Sequence, residues 1–210
     1  MRIGIIGSGR IGATAAKLFT QAGHEVAIAN SRGPDTLAAV AEETGARAAT
    51  VDDAAAFGEV VLVAIPLHAI GSLPAAAFAG KVVIDANNYY PGRDGAIERL
   101  DSGETTSSEL LAEHLAQAHV VKAVNTMQAM VLGSRGMPGS SREQRIALPL
   151  AGDDAEAKRR VSDLIDEIGF APVDTGPLGE GGRRQQAGGP LYNTMMTAPE
   201  AEQALAHEAS

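Results

Sequence analysis

Residues 1–32, MRIGIIGSGRIGATAAKLFTQAGHEVAIANSR, decide the fold. Ile3-Gly4-Ile5-Ile6 is an apolar run that reads as a buried strand, and Gly7-Ser8-Gly9-Arg10-Ile11-Gly12 is a GxGxxG turn directly after it. Ile11, Ala15, Leu18, Phe19 and Ala22 then recur at helical spacing until Gly23, and residues 25–29 give a second strand ending at Asn30-Ser31-Arg32. Strand, glycine turn, helix and strand within about 30 residues is the context that turns GxGxxG into a dinucleotide-site signal. Gly7 lets the chain leave the strand sharply, Gly9 lets a pyrophosphate approach the backbone, and Gly12 lets the helix lie close to the sheet. The first helical N–H groups and the helix dipole then favour an anion.

Outward from this unit the pattern repeats. Gly33-Pro34 turns into a helix ended by Gly45, residues 46–51 give a short strand, and Asp52-Asp53 caps a brief Ala-rich helix. Residues 60–65 (VVLVAI) and 81–84 (KVVI) are buried strands, and Tyr89-Tyr90-Pro91-Gly92 is a turn. Thr106-Ser107-Ser108-Glu109 opens a helix to about Gln117, and residues 119–124 form a strand ending at Asn125-Thr126-Met127. Glycines and a proline in residues 131–145 predict a long surface loop. Residues 146–151 form a strand, Asp153 caps a helix to about Ile168, and residues 170–174 form the last strand. Strands alternating with helices predict an α/β, Rossmann-like doubly wound, mostly parallel sheet. The expected organisation is an NADP-binding domain over residues 1–175 and a glycine-rich loop with a polar C-terminal tail over residues 176–210.

Composition narrows the function. The formal charge of −9 argues against a nucleic-acid partner. The absence of cysteine removes disulfides, thiol chemistry and Cys-based metal sites, and no metal-ligand spacing of histidines occurs. Neither a signal peptide nor a membrane span is evident, so a cytoplasmic protein is expected.

The candidate residues sit at strand ends, where ligands bind in such sheets. NAD-binding units place a carboxylate after the second strand to meet the ribose 2′-hydroxyl. This chain has Asn30, the hydroxyl of Ser31 and the forked cation of Arg32, a set that suits a 2′-phosphate and predicts NADP(H). Arg10 lies in the glycine turn, near the expected phosphates. Ile65-Pro66-Leu67-His68 follows the fourth strand, where its backbone would line the nicotinamide side; His68 is the one weak candidate for a proton donor, and no residue is assigned a catalytic role. Asn87, Asn88, Asn125 and Thr126 offer hydrogen bonds to the nicotinamide amide or the substrate, and Tyr89-Tyr90 offers a cover for a planar ring.

With these residues placed, the chain resembles the NADPH-dependent deazaflavin-coenzyme (coenzyme F-420) reductases and the oxidoreductase domain of the STEAP metalloreductases. The matching pieces are IGIIGSGRIG, AGHEV, NSR, AIPLHAI, GKVVIDANN, SSELLAEHL, VVKAVNT, PLAGDDAEAK and DTGPL, from Arg2 to about Leu178. The resemblance implies NADPH held by Ser8, Gly9, Arg10, Ile11, Ser31 and Arg32, with the nicotinamide near Ile65, Pro66 and residues from Ala123 to Asn125. It also implies a flavin or deazaflavin ring as the small-molecule acceptor, and a homodimer. Two departures fall on the acceptor side. Leu67 stands where the deazaflavin reductases usually have Trp, and GEGGRRQQAGGPLYN replaces their apolar C-terminal helix. The expected function is hydride transfer between NADPH and a flavin or deazaflavin ring. The rival readings are a non-catalytic NADP(H) sensor or interaction module, and reduction of a small imine or carbonyl with His68 as proton donor.

Overall fold

The computed structural model of the chain describes residues 1–208; residues 209–210, the end of the expected tail, lie outside the described residues. Eight strands, β1 (Arg2–Ile6), β2 (Glu25–Ala29), β3 (Arg47–Ala49), β4 (Val60–Val63), β5 (Val82–Asp85), β6 (His119–Ala123), β7 (Ala147–Gly152) and β8 (Ala171–Asp174), make one sheet in the order β3-β2-β1-β4-β5-β6-β7-β8. All neighbours pair in parallel except β6 with β7, so the sheet is mostly parallel, as expected. The central strands are apolar without alternation because both of their faces are covered. Ile3 and Ile5 face Phe19, Leu132, Val161 and Leu164 on one side; Ile6, Val61 and Val63 face Ala54, Phe78 and Leu111 on the other.

The helices are α1 (Arg10–Gln21), α2 (Ala38–Thr44), α3 (Val51–Phe57), α4 (Pro91–Asp94), α5 (Glu98–Asp101), α6 (Ser107–His114), α7 (Ala129–Ser134), α8 (Ala155–Glu167), α9 (Leu178–Gln185) and α10 (Ala198–Glu208). Thr106, at the start expected for this helix, caps α6 and forms a full capping box with Glu109. Two caps differ from expectation. Thr50, not Asp52 or Asp53, accepts from the Asp53 amide at 3.1 Å to start α3, and Asp154, not Asp153, caps α8 through the Ala157 amide at 2.7 Å. Asp153 instead accepts from the Leu178 amide at 2.9 Å, at the start of α9.

Three further segments correct the sequence reading. Residues 131–145 are not one loop: α7 occupies their start, with Leu132 buried in the core, and a 3-10 turn spans Arg142–Gln144. The glycine-rich stretch after Gly176 contains α9. Its glycines serve close approach: a Cβ on Gly181 would stand 2.8 Å from the Ala151 Cβ and 2.7 Å from Thr175 Oγ1, and one on Gly182 would rest 3.6 Å from Lys122 Cδ. Beyond Asn193, where the sequence fits either a frayed tail or a short helix, the helix α10 forms, and its Ala198 and Ala201 bury against Ala147, Ala171 and Val173. Among the described residues no helix is long and apolar enough to cross a membrane.

Candidate functional site

The strand order doubles back between β1 and β4, and a cleft opens at the carboxyl ends of β1, β4, β5 and β6, the place such a sheet offers a ligand. The three glycines of the turn answer to different neighbours. Gly7 has φ +114°, and a Cβ there would lie 2.1 Å from the Ala64 carbonyl oxygen; on Gly12 it would lie 1.8 Å from the Gly7 carbonyl oxygen. On Gly9 it would meet nothing within 4 Å. Protein packing therefore demands glycine at 7 and 12. At 9 it leaves open space over the start of α1, whose N-cap has no side-chain hydrogen bond and whose first turn has no acidic residue. That is the arrangement an anion fits.

The cleft has two lobes that meet at Gly9, Ala64, Ile65 and Pro66. The first, about 510 Å³, is lined by Gly7, Ser8, Asn30, Ser31 and Arg32. Asn30 shapes this end. Its Nδ2 donates to Ser8 Oγ (3.1 Å) and Thr36 Oγ1 (3.0 Å), and its Oδ1 accepts from the Arg32 amide (2.9 Å). The amide is thereby used to fold the turn, while the Arg32 side chain is exposed and has no hydrogen bond or ion pair among the described residues.

The second lobe, about 660 Å³, is lined by Arg10, Ile11, Asn87, Asn88, Tyr90, Arg93, Val124 to Met130, Tyr192 and Asn193. Asn87 is 2% exposed. Its Oδ1 accepts from the Ile65 amide at 2.8 Å, which fixes the end of β4, and its buried Nδ2 has no partner. A buried donor left unmade costs about 1–3 kcal/mol, so this one is a natural place for a ligand oxygen. Asn88 and Asn125 clasp each other: Asn88 Nδ2 donates to the Asn125 carbonyl (2.9 Å) and Asn125 Nδ2 to Asn88 Oδ1 (3.1 Å) and the Gln185 carbonyl (2.7 Å). Val124 has φ +62°, a left-handed conformation for a β-branched residue on the cleft wall. Ala123, expected to line the cleft, is fully buried beneath it; Val124 takes that position.

Below this wall lies a polar cluster that the sequence reading missed. Lys122 and Asp85 are both wholly buried, with Nζ 3.6 Å from Asp85 Oδ2. Lys122 donates to the Asn87 carbonyl (3.1 Å), Ser108 Oγ (3.0 Å) and Ser107 Oγ (3.3 Å), and Ser108 donates to Asp85 Oδ2. Burial pushes the Lys122 ammonium's pKa down and the facing Asp85 carboxylate acts against that. The signal was available: a lysine amid VVKAV and an aspartate closing KVVID sit in strands that are otherwise apolar.

A model of the family described as NADP oxidoreductase, coenzyme F-420-dependent, matches residues 2–89, from β1 through β5 and its Asn87-Asn88 end. The metalloreductase STEAP3 of Rattus norvegicus is 30% identical over 179 residues, 84% of this chain and 34% of that protein, so the chain spans about a third of the length of this curated relative. The solved structure of hypothetical protein SMa0349 from Sinorhizobium meliloti is 36% identical, with a TM-score of 0.80 over 94% of this chain and 95% of that one. Residues 2–89 belong to this NADP oxidoreductase family. A structure assigned as an F-420-dependent NADP-reductase from Arthrobacter sp. FB24 is similar at 26% identity, with a TM-score of 0.70 over 84% of this chain and 85% of that one.

In this chain His68 does not reach the cleft. It follows Leu67 in a 3-10 turn; Leu67 points inward and is buried, and His68 faces out, with Nδ1 3.2 Å from Asp94 Oδ1. It lines neither lobe, so the structure does not bring it into the cleft with the other candidate residues. Tyr89 also turns away, donating to Asp101 Oδ1 at 2.8 Å and accepting from the Ile97 amide at 3.0 Å, while Tyr90 alone of the pair lines the second lobe. Asp94 fixes this rim. Burial opposes its charge, but hydrogen bonds from Arg93, the Tyr90 amide and the His68 amide hold its carboxyl at about 2. Folded, it takes up a proton less readily than at the ordinary value of about 3.9. The stabilisation, on the order of 2 kcal/mol, is therefore complete above about pH 4 and is lost as pH falls towards 2. Asp94→Asn is expected to lower stability by about that amount at neutral pH in urea denaturation, with the difference from the wild type shrinking below pH 4. A constant difference across that range would detach the effect from the carboxylate.

Proposed function

We propose that this chain binds NADPH along the full cleft and transfers hydride between it and a flavin or deazaflavin ring seated in the second lobe. The observation that carries this reading is the uninterrupted cleft with an unspent cation, Arg32, at one end and the unpartnered Asn87 Nδ2 at the other. Ser31 and Arg32 meet the 2′-phosphate, the α1 N-terminus beyond Gly9 meets the pyrophosphate, and Ile65, Pro66 and Asn87 hold the nicotinamide end. When bound, NADPH supplies a hydride from its reduced nicotinamide. Transfer between two rings needs mainly proximity and orientation, which the rigid strand ends around Asn87 and Val124 provide. The F-420-dependent description of the matched family and the Arthrobacter neighbour support a deazaflavin acceptor.

Stopped-flow mixing of the NADPH-loaded protein with coenzyme F-420, FMN, FAD or riboflavin tests the reading. Rapid NADPH oxidation with at least one ring is expected, and none with any of them abandons it. Tight NADPH binding without turnover favours the rival reading of a non-catalytic NADP(H)-binding module. The proposal includes a homodimer in solution, read directly by light scattering.

Cofactor choice has its own test. Arg32→Ala is expected to weaken NADPH binding by about 1.5–3 kcal/mol, the range for a hydrogen bond between charged groups, and to leave NADH binding almost unchanged. Equal losses for both dinucleotides would show that Arg32 does not read the 2′-phosphate.

A further inference from the structure

Reduction of a flavin or deazaflavin ring takes up a proton as well as a hydride. The hydride brings an electron pair into the ring, and a ring nitrogen conjugated with the attacked centre must gain N–H. The titratable side chains lining the second lobe are Arg10, Arg93, Tyr90 and Tyr192. A guanidinium does not release its proton near neutral pH. The two phenols remain, and they are joined: the Tyr90 and Tyr192 hydroxyls share a hydrogen bond across the mouth of the lobe.

The pair has a direction. Tyr90, between β5 and α4, is 37% exposed, and Tyr192, in the segment between α9 and α10, is half-buried. Either hydroxyl can donate in that bond; in the orientation where Tyr90 donates, the Tyr192 proton is free for a ligand, with no acceptor among the described residues. We infer that Tyr192 is the proton donor to the ring acceptor and that Tyr90 renews its proton from solvent; the inference rests on the reading that such a ring occupies the second lobe. Tyr192 Oη gives its proton to the ring nitrogen, so that an O–H bond breaks and an N–H bond forms. It takes the Tyr90 proton along their hydrogen bond, and Tyr90 takes one from water. One hydride from NADPH and one proton from solvent are consumed for each acceptor reduced.

Other features agree. Burial, then the hydrogen bond that Tyr192 donates to Tyr90 in the resting orientation, pushes the Tyr192 phenol up to about 12, so it carries its proton at neutral pH. The Arg93 guanidinium lies 4.9 Å from the Tyr90 ring centroid, where it eases transient negative charge on that phenol, and Asp94, which accepts from the Tyr90 amide, holds both residues on the rim. The Tyr192 backbone is anchored without its hydroxyl: the Leu191 amide donates to the Arg184 carbonyl (3.0 Å) and the Asn193 amide to the Thr126 carbonyl (2.7 Å). Tyr192→Phe therefore removes the proton and keeps the wall.

The test compares wild type, Tyr192→Phe and Tyr90→Phe. Single-turnover reduction of coenzyme F-420 or riboflavin by NADPH is followed in water and in deuterium oxide. Tyrosinate absorbance is titrated in the free proteins, where three tyrosines and no tryptophan make the signal readable. Tyr192→Phe is expected to slow reduction about 100-fold or more, within the range for general-acid catalysis, with NADPH affinity kept within about twofold. Tyr90→Phe slows it less, and in the free protein returns the late-titrating phenol towards its ordinary value of about 10. Wild-type reduction slows in deuterium oxide. Tyr192→Phe reducing the acceptor at the wild-type rate overturns the inference and leaves the proposed function standing, as does a loss confined to acceptor affinity. A late-titrating phenol that stays where it is in Tyr90→Phe overturns the relay. A wild type that reduces no ring acceptor overturns the proposed function and the inference with it.

Discussion

Gly12→Ala is expected to destabilise the protein by roughly 3 kcal/mol or more, and Gly9→Ala to leave the fold standing while removing cofactor binding. The two substitutions add the same methyl group to one glycine turn. At Gly12 it would lie 1.8 Å from the Gly7 carbonyl oxygen, a backbone atom that cannot rotate away, so α1 must lift from β1. A loss of that size lowers the midpoint of thermal unfolding by about 6–12 °C in a chain of this length. At Gly9 the methyl meets no protein atom within 4 Å, and its stability cost is that of exchanging glycine for alanine at an N-cap, a few tenths of a kcal/mol up to about 1. The methyl does stand where a pyrophosphate must approach the amides of α1, and NADPH affinity is expected to fall by about 100-fold, equivalent to about 2.7 kcal/mol. Thermal unfolding and a fluorescence titration with NADPH, run on both variants, separate the two roles. Undiminished NADPH binding by Gly9→Ala would place the pyrophosphate elsewhere.

Lys122→Ala carries the second large effect. It leaves the Asp85 carboxylate wholly buried, with the Asn87 amide and Ser108 hydroxyl as its remaining partners and no cation. Breaking a buried pair from one side costs about 3–5 kcal/mol, because the surviving charge is stranded. Removing both charges is different. In Lys122→Met with Asp85→Asn, the methionine fills the stem's volume and the asparagine oxygen still accepts from the Asn87 amide. This double variant is expected to recover most of the loss, to within about 1–2 kcal/mol of the wild type. Urea denaturation of the two singles and the double gives the coupling directly. A cost below about 1 kcal/mol for Lys122→Ala would mean that Asp85 does not depend on the ammonium. Because Lys122 and Asp85 both hold Asn87, the single variant should also loosen the Asn87 end of the cleft before the protein unfolds.

The parts of this molecule that sequence made legible are those whose partners are near in the chain. Gly12 collides with the Gly7 carbonyl of the same turn, and the GxGxxG spacing records that collision. Thr106 and Glu109 bond each other, and the helix start was readable for the same reason. Gly181 and Gly182 obey the same physics, but what they touch is Ala151 and Lys122, far away in sequence, so locally they look like helix breakers. His68 was misplaced because a strand end tells which residues leave the sheet, not which way a following 3-10 turn rotates them; Leu67 turned inward. The NADP-type end rested on Ser31 and Arg32, which line the first lobe, while Asn30 proved to be the brace of the turn and not a free amide. Nothing local marks Tyr192 as the partner of Tyr90, because the hydrogen bond joins residues about a hundred positions apart.

The late position of that partner bears on how the protein is made. Synthesis runs from the amino terminus, and domains begin to order as they emerge. The glycine turn, the Arg32 loop and the ends of β4, β5 and β6 are all encoded before residue 130. The carbonyl of Gln185 that receives Asn125, the amide of Asn193 that meets Thr126, and the Tyr192 phenol come from the last fifth of the chain. On a ribosome the residues of the first lobe therefore emerge before those that close the far wall of the second. Until α9 and α10 dock, the glycine turn and the ends of β4, β5 and β6 stand without the wall that Tyr192 and Asn193 supply.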